Sequence, residues 1–259
     1  PQGVTDLVIT NEGEGALSVD YVRFKNRPKY FNAITTPTAQ PDAEGFIHRW
    51  LLLEPITKPN SGNTVFTDSY LRAHFNREYF KGQQTIVPKD GQKVKAVFQQ
   101  EQAPAGFGRG FGAQQQPQGP QVKTVTQNLT WHALDSENLN VKLFRFAEKW
   151  GEEIYGVLFW AVTIIDCDED IENVRLAVGS NSASMWWLNG EETLLLSGDR
   201  RMVKDDAMSK RITLKKGRNI LRGAVINGPG MSDFCVRFLD ENGNIARSEE
   251  RRVGKECRS

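Results

Sequence analysis

The stretch VRLAVGSNSASMWWLNGEE, residues 174–192, decides the fold class. Val174, Leu176 and Val178 alternate with polar or small residues, which is typical of a strand that buries one face in an antiparallel sheet. A turn-forming cluster follows, and the next apolar run, residues 184–188, is short and again alternates. The stretch therefore predicts two strands joined by a turn.

The same pattern continues on both sides of this stretch. Residues 156–165, GVLFWAVTII, are apolar on both faces and predict a central strand, while residues 219–226 and 234–239 are again strand-like. Only residues 68–80 suggest a short helix, capped by Thr67 or by its own first residue. Many strands at short intervals with little helix predict an all-β fold, an antiparallel β-sandwich of the jelly-roll type.

Composition limits the class of partner. The chain has 259 residues, of which 39% are hydrophobic and 25% charged, so it can bury a core. A formal net charge of +1 gives no electrostatic reason to expect a nucleic acid or an anionic membrane, and no apolar run of about 18 residues occurs. The three cysteines indicate neither a disulfide framework nor a zinc site, and we expect Cys167 and Cys235 to be buried thiols.

The ends and one internal segment differ from the main domain. Residues 1–28 read as the end of a preceding β module or as an edge hairpin, and the main sandwich is expected at residues 45–245. Residues 99–121 are rich in Gln, Gly and Pro and predict a long disordered insertion. Residues 246–259 resemble translated adapter sequence from metagenomic reading frames. Because the chain begins at Pro1 without a Met, we expect it to be part of a longer protein.

Three short motifs resemble those of galactose-binding-like jelly rolls. They are Gly-Ser-Asn at 179–181, Trp-Leu-Asn-Gly at 187–190 and Leu-Lys-Lys-Gly-Arg-Asn at 214–219. The strand-like run FIHRWLLLEP at 46–55 resembles the opening strand of the same domains. The sequence departs from the pattern at 181–183, where Asn-Ser-Ala replaces a usually acidic turn.

The chain resembles ancillary regions of acetylxylan- or feruloyl-esterase-type proteins of Bacteroidales. This resemblance implies a non-catalytic carbohydrate-binding module, covalently linked to a catalytic domain that degrades plant cell-wall polysaccharide, xylan in particular. It also implies a secreted, periplasmic or cell-surface location. A purely structural linker domain remains an alternative.

The residues give little sign of catalysis. No Gly-x-Ser-x-Gly nucleophile elbow occurs, and only His48, His74 and His132 could serve as a base. A hydrolase with a noncontiguous active site, with His132 as base, stays the alternative function. No cofactor or metal pattern is found. The acidic run at 166–170 is interpreted as a solvated turn, with calcium as a second interpretation.

Two adjacent acidic pairs, Glu191-Glu192 and Asp205-Asp206, fall in predicted hairpin turns. We interpret both pairs as solvated.

Carbohydrate modules bind by stacking sugar rings on exposed aromatic side chains, with a few polar groups fixing the hydroxyls. Trp150 and Tyr155 flank a turn and are candidates for exposure. Trp187 lies on the opposite strand face from Leu188, where it is either covered or open to a ligand. Arg200 and Arg201 follow a strand and could bind the carboxylate of glucuronate-decorated xylan. The candidate sugar-binding residues are these five: Trp150, Tyr155, Trp187, Arg200 and Arg201.

Overall fold

The fold consists of antiparallel strands in two sheets, with two short helices. The computed structural model describes residues 29–58, 67–101, 122–154, 156–226, 231–246 and the strand at 252–253. The elements are β1 (Phe31–Ala33), β2 (Arg49–Thr57), α1 (Asp68–Phe75), β3 (Lys93–Glu101), β4 (Val122–Ser136), β5 (Val141–Lys142), α2 (Leu143–Trp150), β6 (Val157–Cys167), β7 (Ile171–Ser180), β8 (Ser184–Leu188), β9 (Glu191–Leu196), β10 (Ala207–Met208), β11 (Ile212–Leu214), β12 (Gly217–Ile226), β13 (Asp233–Leu239) and β14 (Arg252–Val253). The all-β sandwich predicted from the sequence is confirmed.

The larger sheet has nine strands in the order β1-β4-β2-β6-β12-β8-β9, with β14 pairing β6 and β3 pairing β4. The smaller sheet has five strands in the order β10-β7-β13-β5, with β11 pairing β7. As predicted, β6 is central, because it lies between β2 and β12 and nearly all of its residues are buried. Neither described helix is long or apolar enough to cross a membrane.

One face of the larger sheet, the inner face, packs against the smaller sheet. Trp50 and Trp186 lie on this face and meet edge to face at 6.0 Å, and Trp50 also contacts Phe234 of the smaller sheet at 4.9 Å. Gly223 makes this packing possible, because a Cβ there would lie only 2.3 Å from the Trp186 ring. The space between the two sheets is thus filled by interlocking aromatic rings.

The opposite face of the larger sheet, the outer face, carries a second core. Trp131, Trp160 and Trp187 lie here together with apolar residues of α1 and of the irregular segment 76–86. The predicted helix begins where expected, since Thr67 caps it by accepting a hydrogen bond from the N–H of Tyr70, but it ends at Phe75 rather than at residue 80. The larger sheet is therefore buried on both sides.

Three features of the fold differ from the sequence-based expectations. Residues 99–101, assigned to the insertion, continue β3, and the rest of that insertion, like residues 1–28, lies outside the described part of the chain. A second helix, α2, was not predicted, and it lacks a side-chain N-cap. Residues 29–44, placed before the main domain, contribute Phe31 to the inner core and pair β1 with β4.

The turns that carry the sequence motifs meet in space. Asn189 and Gly190 both have positive φ, 53° and 89°, as a two-residue type I′ hairpin requires. The Asn189 side chain accepts a hydrogen bond from the N–H of Ile220 and donates to Asn219 at 3.0 Å. Asn219 is fully buried and also closes the turn before β12 by accepting from the N–H of Lys215. These motifs therefore hold two turns of the framework together.

Candidate functional site

An exposed tryptophan marks the end of α2. Trp150 is 42% exposed, whereas Leu143, Phe146 and Ala147 of the same helix are buried. The helix ends immediately after it, where Gly151 takes a left-handed conformation and donates its N–H back to the last helical turn. The sequence-based expectation that Trp150 is exposed is thus confirmed.

One face of the Trp150 ring rests on His132. The two rings stack at 3.9 Å with an angle of 18° between their planes, and the imidazole also meets Phe146 edge to face at 5.7 Å. His132 belongs to β4, and its ring packs between the sheet and α2. The indole is therefore held against a fixed ring, not free to rotate in solvent.

Glu54 in turn holds His132. Its Oε1 is 2.9 Å from His132 Nε2, and its Oε2 accepts the N–H of Thr130 at 2.7 Å. Glu54 sits next to Pro55, where the pairing of β2 with β6 shifts register, and such irregularities redirect side chains at a sheet edge. The stack Trp150–His132–Glu54, the aromatic platform, is thus assembled from α2, β4 and β2.

Charged groups surround the platform. The Lys149 ammonium lies 5.2 Å from the centre of the Trp150 ring, within range of a cation–π contact. Partial burial, together with the nearby charge of Glu54, raises the pKa of Glu152. The platform therefore combines a flat apolar surface with a cation and two carboxylates.

Trp187 is buried, so of the two expectations for it, covered or open to a ligand, the structure supports the first. It is only 3% exposed and stacks on Trp160 at 5.5 Å in the outer core, beneath the layer that contains α1. A sugar ring cannot reach it there. Alternation correctly gave the side of β8 on which Trp187 lies, but it could not show that this side is covered.

The two arginines differ in their freedom. Arg200 donates from Nε to Asp206 at 2.6 Å and from Nη1 to the carbonyl oxygen of Ser197 at 3.2 Å, so its guanidinium braces its own loop. Arg201 is exposed and has no hydrogen bond or ion pair to the described residues. Arg201 therefore stays a predicted site for an acidic sugar. Arg200 is less available, because its guanidinium is already hydrogen-bonded. Tyr155 lies outside the described residues.

A pocket of about 420 Å³ opens at the other end of α2. Its lining residues come from the loop before β5, from β5 itself and from the loop between β9 and β10, and they are Asn138, Leu139, Asn140, Lys142, Met202 and Lys204. Met202 and Lys204 belong to the second loop, and Met202 directly follows the predicted arginines in sequence. The platform and the pocket are separated by the length of α2, about 12 Å for eight residues.

The other predicted polar sites are occupied by internal contacts. His48 bonds to Asp42 at 2.8 Å and to the Ser136 carbonyl, and His74 packs on Tyr70 with ring centres 4.0 Å apart. Both histidines thus have structural contacts.

One of the acidic turns, at Asp205, is less solvated than expected, whereas Glu192 and Asp170 in the other acidic segments are exposed and form an ion pair or a hydrogen bond. Asp205, which we interpreted as solvated, is instead a largely buried partner of Arg237, with its side chain only 17% exposed. Glu192, of the other adjacent pair, forms an ion pair with Arg72 of α1 at 2.5 Å. In the acidic run, Asp170 accepts the N–H of Lys216 at 2.7 Å. Within the described part of the chain, no three His, Cys, Asp or Glu side chains converge as a metal site would need.

Sequence reasoning missed Glu54, Glu152 and the two pocket asparagines. Glu54 did carry a signal, because it is a carboxylate at the end of the apolar run WLLL in a strand. Asn138 and Asn140 carried none, since both lie in a short polar segment that looks like any turn. Their grouping with Met202 and Lys204 depends on tertiary structure alone.

No protein-family model matches the sequence, and no curated protein matches it. A solved β-glucosidase from Kluyveromyces marxianus matches 42% of this chain at 21% identity with a TM-score of 0.28, and the match covers 14% of that enzyme. The PA14 domain of the MpAFP antifreeze protein matches 85% of this chain and 97% of that domain, at 8% identity and a TM-score of 0.34.

Proposed function

We propose that the chain is a non-catalytic carbohydrate-binding module and that the aromatic platform is its binding surface. The observation that carries the proposal is the Trp150 ring, which is exposed yet fixed by stacking on His132. Sugar rings present a flat C–H face that packs on such a surface, and a ring held in place loses little entropy on binding.

The surrounding groups fit a hydroxyl-rich ligand. Lys149 can donate hydrogen bonds and Glu152 can accept them beside the apolar surface, which is the usual division of labour in sugar sites. The net charge of +1 gives no preference for a polyanion. We further propose that the ligand is a plant cell-wall polysaccharide of the xylan type and that the module is attached to a polysaccharide-degrading enzyme outside the cytoplasm, as the resemblance of the sequence motifs implies.

Affinity electrophoresis on gels containing xylan, glucuronoxylan, mannan or cellulose tests the platform. Trp150→Ala should abolish the retardation seen for the wild type, an effect of about tenfold or more in Kd, whereas Trp150→Phe should keep part of it. Val97→Ala, which changes another exposed apolar residue, is the matched control and should behave as the wild type. Full retention of Trp150→Ala on a gel that retards the wild type would refute the platform as the binding surface.

The same gels separate neutral from acidic recognition. If Arg201 binds glucuronate, Arg201→Ala should lose retardation on glucuronoxylan and keep it on undecorated xylan, because only the decorated polymer offers a carboxylate. Arg200→Ala should have a smaller effect, since its guanidinium is bonded to Asp206 and Ser197.

A hydrolase is the second candidate, and one observation favours it. Glu54, His132 and Glu152 lie around the exposed Trp150, and the pKa of Glu152 is raised, as in an acid–base pair of carboxylates. Against it, both Glu54 oxygens already accept hydrogen bonds, and the described residues place no serine, threonine or cysteine in hydrogen-bond contact with His132. Release of chromophore from acetyl, feruloyl or glycosidic substrates, lost in Glu152→Gln or His132→Ala, would favour the hydrolase.

A further inference from the structure

We propose that the pocket at the start of α2 is a second binding site, which takes a single neutral sugar or polyol unit. This inference rests on residues other than the aromatic platform, and it stands whether or not Trp150 binds a polymer. It concerns the pocket lined by Asn138, Leu139, Asn140, Lys142, Met202 and Lys204.

The size of the pocket sets the size of the ligand. A volume of about 420 Å³ lies near the lower end of the range for small-molecule sites. The pocket is more open to solvent than enclosed, and its walls come from two loops and from β5. A monosaccharide unit, free or at the end of a chain, fits this volume.

The charges of the pocket are internally compensated. Lys142 Nζ lies 3.2 Å from Asp233 Oδ2, and Lys204 Nζ lies 2.6 Å from Glu44 Oε2. Each lysine thus has its own carboxylate, and the wall has no excess positive charge to attract an anion. The ammonium groups still have hydrogens to donate, because each carries three.

The remaining polar groups match hydroxyl groups. The side-chain amide of Asn138 makes no hydrogen bond to the described residues, so it can both donate to and accept from a ligand. Asn140 donates to Asp233 Oδ2 at 3.3 Å, which leaves its amide oxygen to accept. Amides that combine donors and acceptors are complementary to hydroxyls, which also do both.

Two further features support a site. Asp233 has a side chain only 6% exposed, and its Oδ1 has no partner within the described chain, while its Oδ2 holds two lining residues in place. Leu139 and Met202 supply apolar surface for the C–H face of a ring. The pocket therefore has a fixed polar wall and an apolar part.

Titration of ¹⁵N-labelled protein with xylose, galactose, glucose and glycerol, followed by NMR, tests the proposal. At least one of these probes should shift the side-chain amide signals of Asn138 and Asn140 in a saturable way. Trp150 supplies an internal discriminator, because its indole N–H signal responds to binding at the platform. Shifts at the two asparagines with no shift at Trp150 would separate the pocket from the platform.

Asn138→Ala is the decisive variant, since its side chain has no hydrogen bond that the described fold needs. It should weaken binding of the effective probe by about three- to tenfold, as expected for one lost hydrogen bond. Asn128→Ala, another exposed asparagine without a side-chain partner in the described chain, is the matched control and should leave Kd unchanged. Trp150→Ala should also leave pocket binding unchanged.

Sodium glucuronate and inorganic phosphate test the charge argument. Binding of either anion at the pocket in preference to every neutral probe would overturn the assignment of a neutral ligand. Absence of saturable shifts at Asn138 and Asn140 with all four neutral probes at high concentration would overturn the site itself. Failure of platform binding with intact pocket binding would refute only the proposed function.

Discussion

The two faces of the larger sheet are both buried, but they are built differently. On the inner face, the indole N–H of Trp50 donates to the Ile47 carbonyl at 2.9 Å, and that of Trp186 donates to Ser184 Oγ at 3.0 Å. On the outer face, the indole N–H groups of Trp131 and Trp160 are buried with no partner in the described part of the chain. The indole N–H groups of Trp50 and Trp186 under the second sheet are thus paired, whereas those of Trp131 and Trp160 under the outer layer are not.

This difference shows what each cover can supply. A sheet brings regular, interlocking side chains, so that buried polar atoms can be matched with partners. The outer cover consists of α1, segment 76–86 and the β3–β4 hairpin, and its irregular backbone leaves fewer partners within reach of the indoles. We therefore expect the inner face to depend on specific contacts and the outer face mainly on apolar burial.

The largest losses of stability should come from truncating a buried tryptophan on either face of the larger sheet. Trp186→Ala and Trp160→Ala should each lower the free energy of unfolding by about 3–5 kcal/mol, the range for truncating a large buried aromatic residue. Chemical denaturation followed by circular dichroism measures both. If the outer layer is a separate unit, Trp160→Ala will instead give two transitions, which would contradict a single cooperative core.

A smaller effect is expected from overpacking the inner face. Gly223→Ala should destabilise by about 1–3 kcal/mol, because the new methyl group would lie where the Trp186 ring now is. Thermal melts measure the loss of stability. Gly243→Ala is the control, because open space surrounds that glycine, so it shows only the strain of an alanine at a positive φ. A Gly223 variant as stable as the wild type would show that the ring can move away.

The comparison itself is tested by replacing indoles with phenyl rings. Trp186→Phe removes a hydrogen bond and leaves Ser184 unpaired, whereas Trp160→Phe removes an N–H that has no described partner. Trp186→Phe should therefore cost about 1–2 kcal/mol more than Trp160→Phe. Equal costs in urea unfolding would mean that the pairing of buried N–H groups does not distinguish the two faces.

The smallest effect is expected at the β3–β4 hairpin. Glu101 and Val122 are partners in the ladder, so an Asn-Gly turn can join them directly in place of residues 102–121. The melting temperature should change little, because a long loop costs only slightly more closure entropy than a short one. Loss of cooperative unfolding in the shortened protein would show that the replaced residues contribute to the core.

The alternation of apolar and polar residues predicted the strands and their faces, but it did not predict which segments pack over each face. In β8, the assignment of Trp186 and Leu188 to one face and Met185 and Trp187 to the other is confirmed. Strand alternation alone could not show whether Trp187 was open to a ligand, because the segments that cover it come from distant parts of the sequence, such as α1 and segment 76–86.

The helix α2 was missed for a local reason. It has eight residues, no side-chain N-cap and begins directly after a strand, so nothing in the sequence marks its start. Such a short helix depends on tertiary contacts, in this case those of its buried residues with the inner core. Trp150 was nevertheless expected to be exposed, because it precedes a turn, whereas its support by His132 and Glu54 depends on contacts between distant strands.

The hydrogen bond between His132 and Glu54 joins residues that are 78 positions apart in the chain. Contacts of this kind form only after a large loop has closed, and proteins rich in them fold in milliseconds to seconds, not microseconds. The exposed ring of Trp150 therefore gains its full support only once β2 and β4 have paired. During synthesis, a chain whose β2 and β4 have not yet paired would expose this ring without its support. It would also expose two unpaired strand edges, which are the features most prone to aggregate.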